Sequence, residues 1–168
     1  MQKKITYQRL YNITLYYLSR FDANTVKVRQ MLRRRLQKAQ LSGNEVPAEA
    51  EQWIEDVIVR MHQLGYINDE RYCFNQVRIL SDAGKSKRFI IGKLKQAGVS
   101  PDLIDKAFED EQTDDLSRAK KFVKRKKIGC FRPQSERMVS YPKDLAALGR
   151  AGFSYEVSVL ALKQNEEF

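Results

Sequence analysis

The chain is nearly without the side chains on which metal and nucleophile chemistry depend. It has one histidine, His62, and two cysteines, Cys73 and Cys130, in 168 residues. A single imidazole excludes the usual zinc sites, which draw on several ligands at fixed spacing, and leaves none to spare beside a His-dependent triad. His62 reads as a surface residue on the polar flank of a helix. The cysteines are far apart with no Cys-x-x-Cys, which gives no disulfide framework and suits a reducing cytosol. Cys73 falls on an apolar stripe and reads as a buried structural thiol. Cys130 sits in a basic stretch, and a reactive role is the lesser reading. No glycine-rich phosphate loop is present, so no bound ATP or other cofactor is expected. No apolar run is long enough to span a bilayer, and Met1-Gln-Lys-Lys-Ile5 is followed by no apolar h-region, so neither membrane nor signal peptide is expected. No stretch alternates with period two for long enough to argue a sheet.

What the chain has is positive charge: 31 Lys plus Arg against 21 Asp plus Glu, a net +10. Such a balance favours a polyanionic partner, whether nucleic acid, an acidic protein or an anionic surface. The charge is blocked. Residues 1–42 carry ten bases and one acid, residues 43–84 three bases and eight acids, and residues 114–133 eight bases and two acids.

The apolar pattern is helical throughout. Leu10, Ile13, Tyr17 and Phe21 recur at helical spacing in a first helix. Asp22 and Asn24 suit the cap of a second, from Thr25 to Ala39, with Val28, Met31, Leu32 and Leu36 on one face. Ile54, Val57, Ile58, Met61 and Leu64 mark a third, closed by Gly65. Tyr72, Cys73, Val77 and Leu80 form the next stripe, stopped near Gly84. Ile90, Ile91, Leu94 and Ala97 follow, and Ser100-Pro101-Asp102 starts the helix of Ile104, Ala107 and Phe108. Glu109–Asp115 is an acidic hinge. Leu116, Ala119, Phe122 and Val123 open the last group. Gly129–Pro142, with two prolines, predicts a loop with at most one turn of helix. Leu145 and Leu148 mark the penultimate helix, and Ser154 caps the last.

One unit recurs. Leu94-Lys-Gln-Ala-Gly98-Val-Ser100 and Leu148-Gly-Arg-Ala-Gly152-Phe-Ser154 superpose without a gap at an offset of 54. Leu36-Gln-Lys-Ala39-Gln-Leu-Ser42 is a degraded copy lacking the glycine. The expectation is an all-α chain of three tandem three-helix repeats, at residues 1–66, 67–113 and 114–168.

Three basic clusters are candidate polyanion-binding sites. Arg33, Arg34, Arg35 and Lys38 have only Asp22 as counter-charge in their block. Successive helical residues lie about 100° apart, so the three arginines fan out and cannot share one groove. Lys120, Lys121, Lys124, Arg125 and Lys127 form the second cluster. Positions 120, 124 and 127 share a face, where like charges destabilise a helix unless something compensates. Lys85, Lys87 and Arg88, with Lys93 and Lys95, form a milder third. Tyr7, Tyr11, Tyr16 and Tyr17 read as half-buried packing residues, with base stacking the alternative.

Gly65-Tyr-Ile-Asn-Asp-Glu-Arg-Tyr72 resembles the junction of the first and second repeats in the RecX family of bacterial RecA regulators. Leu15–Phe21 with Arg33–Arg35 is similar to the opening of one branch of that family, and Lys143–Val157 to its last repeat. The resemblance covers nearly the whole chain in order. It implies that the three tandem three-helix repeats form an elongated, curved modular array, which binds in the groove of the RecA–DNA filament and inhibits filament extension, ATPase, strand exchange and coprotease activity. It departs at Gly84-Lys-Ser-Lys87, where the family often has Gly-x-Gly-Pro, and at Lys93, where an acid is expected. The expected protein is therefore a non-enzymatic, cytoplasmic, monomeric regulator of RecA filaments, touching nucleic acid (ssDNA or dsDNA) mainly within them. Exchange of Arg33 and Arg34 for Glu is expected to weaken inhibition while leaving helicity intact. The alternatives are a helix-turn-helix protein acting on naked DNA and a structural adaptor without a nucleic-acid role.

Overall fold

A computed structural model describes residues 4–111 and 113–163, and among these it has nine α-helices, one 3-10 turn and no strand. The helices are α1 (Tyr7–Leu18), α2 (Thr25–Leu41), α3 (Ala50–Gln63), α4 (Asp69–Asp82), α5 (Lys87–Gln96), α6 (Pro101–Asp110), α7 (Asp115–Lys126), α8 (Gln134–Arg150) and α9 (Tyr155–Lys163), with the 3-10 turn at Gly129–Phe131. The beginning of the first expected repeat, one position of the acidic hinge and the end of the third repeat lie outside the described residues. The chain forms two compact units, one ending at Tyr72 and the other beginning at Cys73.

Helices begin where a side-chain oxygen can accept from the first turn. Thr6 accepts from the Arg9 N–H at 3.2 Å, Asn24 from Lys27 at 3.1 Å, Ser86 from Phe89 at 3.2 Å, Asp114 from Ser117 at 2.7 Å and Ser154 from Val157 at 3.2 Å. They end in a shared pattern. The Gly98 and Val99 N–H groups donate back to Lys95 and Leu94, and those of Gly152 and Phe153 to Gly149 and Leu148. This is the Schellman closure, in which the residue after the glycine turns inward; Val99 and Phe153 are buried accordingly. The degraded copy follows the same rule three residues late. α2 runs on to Leu41, and the Gly43 and Asn44 N–H groups donate to Gln40 and Ala39, each at 3.0 Å. Its glycine is displaced rather than lost.

The first unit packs α1, α2 and α3 around Leu10, Val28, Leu32, Leu36, Ile54, Val57, Ile58 and Met61, with Trp53 against this core. In the second unit Val77, Leu80, Ile90, Leu94, Ile104 and Ala107 are buried on α4–α6. Ala119, Phe122, Val123, Ile128, Leu148, Phe153, Ala161 and Leu162 form the core of α7–α9.

Two sequence expectations are corrected. Gly129–Pro142 is not a loop: after the 3-10 turn, α8 starts at Gln134 and carries Pro142 inside it. A proline there frees the carbonyl four residues earlier. That residue is Met138, 86% exposed, so water can take the orphaned acceptor. Phe21 lies beyond the end of α1 and is exposed, its ring 5.2 Å from that of Tyr17.

Within the second unit, α7 is bound to the α4–α5 turn by polar contacts. Arg118 is buried; it donates to the Ser81 hydroxyl at 3.0 Å and to Asp115 at 3.3 Å, and lies over the Phe108 ring. Lys121 meets Asp82 at 2.8 Å, and Arg125 donates to the Ala83 carbonyl. The Ser86 hydroxyl donates to the Ala151 carbonyl at 2.7 Å. Gly84 sits at the closest approach, with φ +62°, where a Cβ would lie 2.7 Å from the Phe122 nitrogen and 2.9 Å from the Arg118 carbonyl oxygen. A second polar knot holds the 3-10 turn. Buried Asp144 accepts from Arg132 through both carboxylate oxygens at 2.8 Å and from the Gly129 N–H at 2.9 Å.

Candidate polyanion-binding surfaces

The basic face of α2 is set by its apolar one. With Val28, Leu32 and Leu36 turned inward, Arg29 and Arg33 fall beside α3. Arg29 makes a two-pronged pair with Glu55, both contacts 2.7 Å, and Arg33 meets Glu51 at 3.1 Å. The mutual hydrogen bonds raise the guanidinium pKa of Arg29 and lower the carboxyl pKa of Glu55. Two cations four apart thus meet two acids four apart on the neighbouring helix, a pattern visible in the sequence once both helices are aligned antiparallel.

Arg34, Arg35 and Lys38 fall on the other flank. They are exposed and make no ion pair among the described residues. With Lys27, Gln30, Met31 and Tyr17 they line a groove of about 600 Å³. A neighbouring groove of about 590 Å³ brings Arg35 together with Tyr16, Tyr17, Phe21 and Met31. Tyr7, Tyr11 and Tyr17 pack against the first core, whereas Tyr16 is 61% exposed and carries the Arg20 guanidinium 4.7 Å above its ring. Three of the four tyrosines are packing residues and the fourth is not.

The α7 cluster is divided. Lys121 and Arg125 are drawn onto Asp82 and Ala83 of the same unit. That contact offsets the like charges of Lys121 and Arg125, one helical turn apart, and the Lys121 hydrogen bond holds the Asp82 carboxyl below its ordinary pKa. Lys120 is half-buried and Lys124 exposed. Lys127 is not on their face. It follows the end of α7 in the left-handed region, φ 53°, and its N–H donates to the Lys124 carbonyl. In the milder cluster, Lys85 lies 4.9 Å above the Phe89 ring and Lys87 4.9 Å above that of Phe108, while Arg88 lines a groove beside Gly152.

Arg118, Arg132 and Asp144, the polar anchors of the second unit, were not singled out by charge or spacing. The one available signal is position: Asp144 precedes Leu145 and stands four residues before Leu148, on the apolar side of its helix. His62 is exposed, its Nε2 2.8 Å from the Thr25 hydroxyl, which also donates to Asp69 at 2.9 Å. Cys73 is buried, and burial pushes its thiol up to about 11. Thiol titration with a disulfide reagent at neutral pH is expected to modify Cys130 promptly and Cys73 only on unfolding. Prompt reaction of both would contradict the burial of Cys73.

Among the described residues no group of metal-binding side chains is present and no helix is long and apolar enough to cross a membrane. Fold and surface together define an all-α protein of tandem three-helix repeats. The family model for the second three-helix domain of RecX matches residues 68–107. The regulatory protein RecX of Myxococcus xanthus is 30% identical over 167 residues, 97% of this chain and 89% of that one. The regulatory protein RecX of Vibrio vulnificus is 29% identical over 139 residues, 83% of this chain and 81% of that one. A crystal structure of regulatory protein RecX aligns with a TM-score of 0.60 and 20% identity, covering 94% of this chain and 72% of the other. The chain belongs to the RecX family of regulatory proteins.

Proposed function

We propose that this protein binds RecA–DNA filaments and inhibits the recombinase, limiting filament extension, ATPase, strand exchange and coprotease activity, and so tempering DNA repair and the SOS response. The observation that carries the reading on this chain is the unneutralised stripe Arg34, Arg35 and Lys38 on α2, beside exposed Tyr16 and Phe21. A filament presents phosphates and acidic protein surface in a repeating array. Several weak contacts from the repeats α1–α3, α4–α6 and α7–α9 then add up through effective concentration, with no deep pocket required. The protein acts as a cytoplasmic monomer without catalysis. The first unit supplies most of the docking charge, because Lys121 and Arg125 are occupied within the second.

The test is the ssDNA-dependent ATPase of the cognate RecA, titrated with this protein beside a free-ssDNA binding control at the same salt. Inhibition is expected at concentrations well below those that bind free strands. Arg33 is tied to Glu51, so the cleaner charge reversal is Arg34→Glu with Arg35→Glu. Both side chains are exposed, and helicity should be unchanged. The half-inhibiting concentration should rise about tenfold, equivalent to about 1.4 kcal/mol of lost binding. Inhibition unaffected by the reversal, or seen only as free DNA becomes coated, would overturn the reading.

A further inference from the structure

A groove of about 620 Å³ lies within the second unit between α5 and the end of α8. Its charged walls are Arg88, Lys93 and Arg150, and no carboxylate lines it. None of these three cations makes an ion pair among the described residues. Phe89 also lines it, 42% exposed, with the Lys85 ammonium 4.9 Å above its ring. Its floor includes Gly92 and Gly149.

These two glycines are the informative residues. Both lie inside helices and are exposed. Neither has the positive φ that favours glycine, and a Cβ on either would meet no atom within 4 Å. Neither the backbone nor the packing therefore calls for glycine, although glycine inside a helix is less stable than alanine. Both open the same groove. A bare Cα there lets another chain's backbone come close beneath the three cations.

We propose that this groove binds the sugar–phosphate backbone of single-stranded nucleic acid, with Arg88, Lys93 and Arg150 on phosphates and Phe89 stacking an unpaired base. A cationic groove with an aromatic edge is the usual construction for a single strand. A duplex keeps its bases stacked on one another and offers Phe89 nothing to cover. An acidic peptide matches the charge but not the ring. The site rests on this chain's own geometry and does not depend on the filament reading.

The test measures fluorescence anisotropy of labelled oligothymidylate with the full chain and no recombinase present, at protein concentrations above those that inhibit the filament. Filling the floor with Gly92→Leu and Gly149→Leu should weaken binding about tenfold while the melting temperature stays level or rises by a few degrees. Arg150→Gln, an exposed change, should weaken binding and reduce the slope of log affinity against log salt by about one contact. Should the filled variant melt lower, the Arg150→Gln slope alone decides. An unchanged slope and affinity, or competition by duplex or polyglutamate as effective as by the single strand, would overturn the proposal. Neither outcome bears on filament inhibition, which is read in a separate assay.

Discussion

Replacement of Gly84 by alanine should destabilise the second unit by about 3 kcal/mol. About 1 kcal/mol comes from forcing a Cβ into the left-handed region, and the rest from overpacking at a backbone contact. The new methyl would lie 2.7 Å from the Phe122 nitrogen and 2.9 Å from the Arg118 carbonyl oxygen, and neither can rotate away as a side-chain tip does. α7 must then back off, which stretches Lys121–Asp82 and the Arg125 bond to Ala83. Gly65 provides the control. Its φ is +72°, close to that of Gly84, but a Cβ there meets nothing within 4 Å. Gly65→Ala should therefore lose only about 1 kcal/mol, the conformational part alone. Urea titrations of the two variants isolate the contact by subtraction. Equal losses would mean that α7 does not press on this turn.

The second large effect is at Asp144. Asp144→Ala leaves Arg132 and the Gly129 N–H without their acceptor and should cost about 3 kcal/mol, at the lower end for a broken buried ion pair because Arg132 reaches solvent. Asp144→Asn keeps an acceptor and should lose less. The pH dependence has a defined sign. The hydrogen bond from Arg132, and after it that from the Gly129 N–H, hold the Asp144 carboxyl below its ordinary range. A depressed folded pKa contributes stability above the unfolded value, about 3.9, and that contribution is lost as pH falls through the folded one. The stability gap between the native chain and Asp144→Asn should be full near neutrality and close in acid below about pH 4. A gap that stays constant through acid would show that Asp144 acts by shape rather than charge.

Much of the helical frame is legible in the sequence because its punctuation is local. Asn24, Ser154 and the closing glycines act within one turn of themselves, so a linear reading finds them. α8 escaped because Pro142 is a strong local breaker, and what relieves it is the exposure of Met138, a property of the folded surface. The end of α2 escaped for a different reason. An alignment anchored on Leu36 fixes the register of the start, while the helix runs three residues further to its own glycine. The candidate site was legible as charge but not as availability. Arg33, Arg34 and Arg35 are equivalent in a sequence; only α3 distinguishes the arginine that Glu51 neutralises from the two left facing solvent. Lys121 and Arg125 read as surface charge for the same reason, since their partners lie 39 and 42 residues away. Gly92 and Gly149 gave no signal, because a glycine that nothing requires is visible only once its surroundings are known to be empty.

The placement of Trp53 against the first core has a practical corollary. The chain has a single tryptophan, so its indole emission reports on the unit that ends at Tyr72 and is silent about the other. The buried thiol of Cys73 is the matching reporter for the second unit. One molecule thus carries two spectroscopically separate gauges. Superimposable curves from the two would license a single unfolding free energy, and separated curves would assign a free energy to each unit without cutting the chain.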